Sequence, residues 1–146
     1  TKKQWKNRGN IMQNIIALDI GLKRIGIAQF LQNIPIPLPP ILRKNRNQAA
    51  RDVSNLIQMK NPQILVIGIP QDGDSSLEME RRIKHFINLL EIPKGIEICF
   101  IDESFSSFEA LQKMQGSKKN KKKDGSLDSL AALIILERYL MGQKQD

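Results

Sequence analysis

Asp19, the pair Asp102 and Glu103, and Asp128 are the residues of this chain whose types and placement could do chemistry together. Asp19 follows Ile15, Ile16, Ala17 and Leu18 directly. An apolar run without polar alternation reads as a central strand buried on both faces, where a charge is costly unless it has a partner or a task. Asp102 and Glu103 end the apolar run "IEICFI", and Asp128 stands in the first turn of the last helical pattern. Taken singly, Asp102, Glu103 and Asp128 read as cap or turn residues, Asp128 complementing a helix N-terminus. Asp19 has fewer local backbone groups to bond. Taken together, carboxylates with no His or Cys near them suit a hard cation with oxygen ligands, Mg²⁺ or Mn²⁺. Two such ions about 4 Å apart activate water and stabilise the leaving oxygen in phosphodiester hydrolysis.

Other chemistries have little to stand on. The one histidine, His85, is flanked by Arg81, Arg82 and Lys84 and reads as a solvated residue rather than a catalytic base. The one cysteine, Cys99, lies inside "IEICFI" and reads as a small buried hydrophobe, which excludes disulfide, zinc-ribbon and thiol-nucleophile frameworks.

The elements that must position the carboxylates follow from periodicity. Ile15–Leu18 and Arg24–Phe30 read as two strands of a hairpin, with Gly21 expected to supply a positive φ in the connection. "IPIPLPPILRK" carries four prolines and is at most an edge strand or an extended connector. Residues 47–60 read as a helix closed by Asn61-Pro62, residues 63–70 as a buried strand, and residues 77–90 as a second helix. Residues 95–101 read as one more buried strand, and "SFEALQKMQ" as a short helix. The last helix, about 126–141, is expected to pack through Leu127, Leu130, Ala131, Ile134, Ile135 and Arg138. Its small residues Ala131 and Ala132 should permit close approach to the sheet. A starting hairpin followed by alternating helices and strands predicts an α/β domain with a mixed five-stranded sheet flanked by helices. In such sheets ligands gather at the carboxyl ends of the parallel strands, where these acids fall. The domain is expected to span 12–146, with 1–11 a basic extension that is vector-derived if Met12 is the natural start.

Charge is unevenly spread. Residues 1–14 and 118–123 carry nine basic residues and no acid, while the rest of the chain holds 14 basic against 15 acidic residues. Strongly basic tracts point to nucleic acid. Lys118, Lys119, Lys121, Lys122 and Lys123, in a mobile loop just before Asp128, are expected to contact phosphates, with Lys23 and Arg24 beside Asp19 as further candidates. Aromatic platforms for stacking bases are scarce. No apolar run approaches the roughly 20 residues of a membrane span, and no secretory signal is visible, so the expectation is a cytoplasmic protein with no membrane partner.

"ALDIGLKRIGIA", "ILVIGIP" with Asp74 four residues past Pro70, "FIDESFSSFEA" and "LDSLAALIILERYL" together resemble the YqgF/RuvX family of bacterial RNase H-like nucleases, described as pre-16S rRNA nucleases and formerly as Holliday junction resolvases. The likeness runs from about Met12 to Leu140. It implies an RNase H-like fold and an enzyme that hydrolyses phosphodiester bonds with Mg²⁺ or Mn²⁺ held by Asp19, Glu103 and Asp128. Asp102 and Asp74 would be supporting residues. The implied task is processing of the 5′ end of pre-16S rRNA in ribosome biogenesis, with ribosomal particles as partners. One departure stands out: the family's arginine after the D-E pair is Ser104 here.

Three rivals differ in class. The first motif also looks like the phosphate loop of sugar kinase, actin and Hsp70 ATPases, but those need two such domains, more than 146 residues provide. A resolvase acting on branched DNA would keep the family and change the substrate. A non-catalytic RNA-binding assembly factor would account for Ser104.

Overall fold

The computed structural model describes residues 13–70, 76–103 and 129–144. Strand β1 (Ile15–Ile20) turns into β2 (Arg24–Leu31), and β2 into β3 (Ile34–Leu42), forming an antiparallel meander. Helix α1 (Arg46–Lys60) carries the chain back to β4 (Ile64–Ile69), parallel to β1. Helix α2 (Ser76–Asn88) leads to β5 (Glu97–Asp102), parallel to β4, and α3 (Leu130–Lys144) follows. The five strands lie in the order β3-β2-β1-β4-β5, the mixed sheet the sequence predicts.

Two-residue alternation along the central strands splits the core into layers. Ile16, Leu18, Leu65 and Ile67 pack with Val53 and Ile57 of α1 and Ile83 and Phe86 of α2. On the other face Ile15, Ala17 and Val66 pack with Ala132, Ile135, Leu136 and Tyr139 of α3. Alternation therefore sends Asp19 to the α3 side and its neighbour Ile20 to the α1/α2 side. Helix α1 starts on Asn45, whose side chain accepts from the Gln48 N–H at 2.8 Å in a capping box, and ends on Asn61 at φ 50°. The proline-rich β3 pairs with β2 alone, because an edge strand can do without the missing N–H groups.

Three expectations need correction. Gly21 does not adopt positive φ; its N–H donates to the Arg24 carbonyl at 3.1 Å, and a Cβ there would lie 2.6 Å from that oxygen, so space demands the glycine. Strand β5 is not buried on both faces: it is the sheet edge, with Ile98 37% and Phe100 44% exposed. Lys84 covers part of Phe100, its Nζ 5.3 Å from the ring centroid. Cys99 is accordingly half-buried, with burial and then Glu97 pushing its thiol pKa up. The buried face of α3 takes in Ala132, Ile134, Ile135, Leu136, Tyr139 and Leu140, so of the expected stripe Ile134 and Ile135 are buried, Leu130, Ala131 and Arg138 are half-buried, and Leu127 lies outside the described residues. The expected helix at 107–115, the lysine loop and the 1–11 extension lie outside the described residues.

Candidate active site

Asp19 sits at the carboxyl end of β1, and Glu103 just past the end of β5, with β4 between them. Neighbouring strands lie about 4.8 Å apart, so carboxyls on strands once removed do not ordinarily meet over the middle one. Here the middle strand carries Gly68. A Cβ at Gly68 would fall 2.4 Å from Ile135 Cδ1, 2.7 Å from Glu103 Oε1 and 3.1 Å from Glu103 Cβ. The bare backbone at position 68 is thus the notch over which Glu103 leans toward Asp19. The Glu103 N–H donates to the Ile69 carbonyl at 2.9 Å, which fixes the start of that side chain. Gly68→Ala is expected to destabilise the fold by about 1–3 kcal/mol through overpacking and to dislodge the Glu103 carboxyl; urea unfolding measures the first effect and a crystal structure of the variant the second.

Burial, then the nearby Asp19 charge, then a hydrogen bond with Asp19 and the Asp102 charge push the Glu103 pKa up to about 8, against the pull of Arg138. Burial likewise raises the Asp19 pKa, while its hydrogen bond with Glu103 lowers it. Glu103 Oε1 is buried and has no hydrogen-bond partner among the described residues. Both shifts run in the direction expected of two close carboxyls that resist ionising together without a counter-charge. An orphaned buried oxygen beside a second carboxyl, with only oxygen donors, fits Mg²⁺ or Mn²⁺. Among the described residues no three His, Cys, Asp or Glu side chains gather as a metal site; two of the three expected carboxylates meet, and Asp128 lies outside those residues.

Ser129 anchors the start of α3 to the sheet. The β2–β3 register shifts between Ile25 and Ile27, a bulge that interrupts their ladder. The fully buried Ser129 hydroxyl fills the gap, accepting from the Ile27 N–H at 3.0 Å and donating to the Leu38 carbonyl at 2.6 Å. Ser129→Ala would strand both backbone groups. We expect a loss of about 1–3 kcal/mol, read by denaturant unfolding, with faster hydrogen exchange at the Ile27 amide.

Of the other expected residues, Asp102 is adjacent to Glu103 but exposed, and its carbonyl accepts from Arg138 Nη1 at 2.8 Å. Lys23 in the β1–β2 turn and Arg24 at the start of β2 are exposed, at the same end of the sheet as Asp19. Asp74, Asp128, Ser104 and Lys118, Lys119, Lys121, Lys122 and Lys123 lie outside the described residues. Sequence reasoning missed Gly68, Ser129 and the placement of Arg138. A glycine inside the apolar run "ILVIGIP" was the available signal for the first, since a strand glycine often marks a close approach. A charge within an apolar helical stripe was the signal for Arg138, which brings a guanidinium to the acidic pair.

The model of the family described as "RuvX: Holliday junction resolvase" matches residues 13–142. The chain belongs to the RuvX family. Relatives agree: a Campylobacter jejuni subsp. doylei protein named "Putative pre-16S rRNA nuclease" is 53% identical over 125 residues, covering 85% of this chain and 94% of the relative. A Helicobacter hepaticus protein of the same name is 47% identical over 135 residues, covering 89% and 96%. Among solved structures, this RuvX-family chain resembles the Fowlpox virus resolvase bound to Holliday junction DNA, with TM-score 0.52 at 16% identity, covering 88% of this chain and 99% of that one. It also resembles RuvC of T. thermophilus in complex with a Holliday junction substrate, with TM-score 0.53 at 11% identity, covering 88% and 95%. These likenesses establish the RNase H-like fold.

Proposed function

We propose that this RuvX-family nuclease hydrolyses phosphodiester bonds with Mg²⁺ or Mn²⁺ held by Asp19, Glu103 and Asp128, and that its substrate is the 5′ end of pre-16S rRNA on ribosomal particles. The observation that carries the reading is the pair of carboxyls meeting over Gly68, one of whose oxygens is buried without a partner among the described residues. The names of the relatives support the rRNA substrate. When bound, the cation supplies an acidified water and positive charge at the leaving oxygen. Asp19 and Glu103 then act as ionised oxygen ligands, with Arg138 favouring ionised Glu103 and supplying local positive charge in the absence of an arginine at 104. Lys23 and Arg24, with the lysines at 118–123, would hold flanking phosphates. Asp102 and Asp74 play supporting parts.

A second reading, resolution of four-way DNA junctions, is supported by the family description and by the junction-bound structures. One assay separates the two. The protein is incubated with Mg²⁺ or Mn²⁺ and either a 16S-precursor 5′ fragment or a synthetic four-way junction, beside Asp19→Asn. Cleavage of the RNA fragment that is lost in Asp19→Asn is expected; symmetric cutting of the junction alone would favour the second reading. Cleavage of neither, or cleavage that survives Asp19→Asn, would overturn the metal-nuclease reading.

A further inference from the structure

A second feature lies at the same end of the sheet as Asp19, on the opposite face. The β1–β2 turn, the segment from the end of β3 into the start of α1, and α2 line an open groove of about 1110 Å³, with the buried Ile20 and Ile83 among its lining residues. That is larger than the roughly 300–1,000 Å³ of small-ligand clefts. Its lips are Leu22 and Leu77, 60% and 70% exposed. Its walls are basic. Glu78 and Glu80 face the cavity but are engaged by Arg82 at 3.0 Å and Lys84 at 2.9 Å. Arg43, Arg46 and Arg81 also line it, and among the described residues none of the three is ion-paired to a carboxylate. Arg43 is held in place: its Nη1 donates to the Gly21 carbonyl at 2.8 Å, and its guanidinium lies 5.0 Å from the Phe86 ring centroid. Burial and then the neighbouring Arg46 charge push its pKa down, as expected for two cations crowded without an anion.

We propose that this groove is the track for the single-stranded sugar-phosphate backbone that flanks the scissile bond. Three guanidiniums lining one open trough, none of them ion-paired to a carboxylate among the described residues, match a repeating anion better than a single headgroup, and guanidiniums suit phosphate geometry. Exposed leucines on both lips offer apolar surface to sugars and unstacked bases, which a duplex would keep hidden. Asp19 and Ile20 point to opposite faces of β1, so a strand held at both places crosses the turn that carries Lys23 and leads into Arg24. The proposal rests on the nuclease reading above and adds to it the groove on the α1/α2 face of the sheet.

The test measures binding without cleavage, in full-length protein carrying Asp19→Asn, using a fluorescent single-stranded RNA of about 20 nucleotides. Arg46→Ala/Arg81→Ala is compared with Lys60→Ala/Lys94→Ala, which removes the same charge at the opposite end of the sheet. Arg46 and Arg81 are exposed, so the fold should survive, as thermal melting will verify. Each lost single-strand phosphate contact lowers the slope of log affinity against log salt by about 0.7. The groove variant is therefore expected to show a slope smaller by about 1.4, making its affinity loss over a fourfold rise in salt about sevenfold smaller than that of the parent. The control pair should keep the parental slope. An unchanged slope in the groove variant, or an equal change in the control, would overturn the track while leaving the nuclease reading intact. That reading fails separately, in the cleavage assay.

Discussion

Asp19→Asn is expected to lower divalent-cation-dependent cleavage by at least about 10³-fold while leaving the fold in place. The loss should meet or exceed the 10²–10³ that follows removal of a single charge-stabilising donor, because it removes a ligand charge itself. Asparagine matches aspartate in size, so the packing of β1 against α3 is kept. The amide is neutral, and a carboxyl whose pKa burial has already raised loses little by giving up its charge. The variant should therefore be at least as stable as the parent in chelator. Circular dichroism and thermal melting verify the fold, and initial rates on the RNA fragment measure the loss. Asp102→Asn provides the contrast: that side chain is exposed, and its substitution should cost less than about tenfold, in the range of residues that only support a ligand. Equal losses at the two positions would mean that the acidic residues act through general charge rather than through the site over Gly68.

Without divalent cation, stability should fall as pH rises from about 4.5 to about 8. Glu103 has its pKa raised from 4.5 to about 8 in the folded chain, so between these values the folded state binds more protons than the unfolded state. Stability then declines with pH, being fully present below about 4.5 and lost as pH passes through 8. Asp19 is shifted in the same direction and adds to the same slope. At about 1.4 kcal/mol per pH unit the Glu103 shift would amount to roughly 5 kcal/mol. The carboxyl keeps part of its hydration and its titration is coupled to that of Asp19, so about 2–3 kcal/mol is the expected loss. Glu103→Gln should flatten the profile and be the more stable protein at pH 8 in chelator. Magnesium or manganese should raise the melting temperature of the parent most at high pH, where no proton competes. A flat profile in the parent would show that the two carboxyls do not face each other in solution.

Much of this arrangement was legible in the sequence, for identifiable reasons. Ile15–Leu18 and Ile64–Ile69 show no polar alternation because both of their faces are covered, so their places at the centre of the sheet could be read directly. The prolines of β3 confined it to an edge. Asp19 could be singled out because an acid at the end of a buried strand needs a reason to be there, whereas Glu103 was set apart from Asp102 only by the family resemblance. Other features depend on neighbours that periodicity does not report. Strand β5 has the composition of a buried strand, yet its place at the edge leaves Phe100 44% exposed beside the Lys84 side chain. Gly21 looked like a residue needed for its dihedral freedom, whereas the constraint is the Arg24 carbonyl against it. Gly68 and Ser129 act through contacts 35 and 102 residues away in sequence, with Glu103 and Ile27 respectively, which no local pattern encodes. The helical stripe of α3 was displaced in part because Ala132 and Leu136, rather than Ala131, face the sheet.

The central claim is that the carboxyls meeting over Gly68 hold a divalent cation. Calorimetric titration of full-length protein with Mn²⁺ at pH 6.5, in two buffers of different ionisation enthalpy and without nucleic acid, tests it directly. The parent is expected to bind Mn²⁺ and to release about one proton per ion as Glu103 ionises. Asp19→Asn should bind at least about tenfold more weakly, and Glu103→Gln should release no proton from this site. Mn²⁺ binding with unchanged affinity in both variants, or no proton release from the parent, would contradict the account.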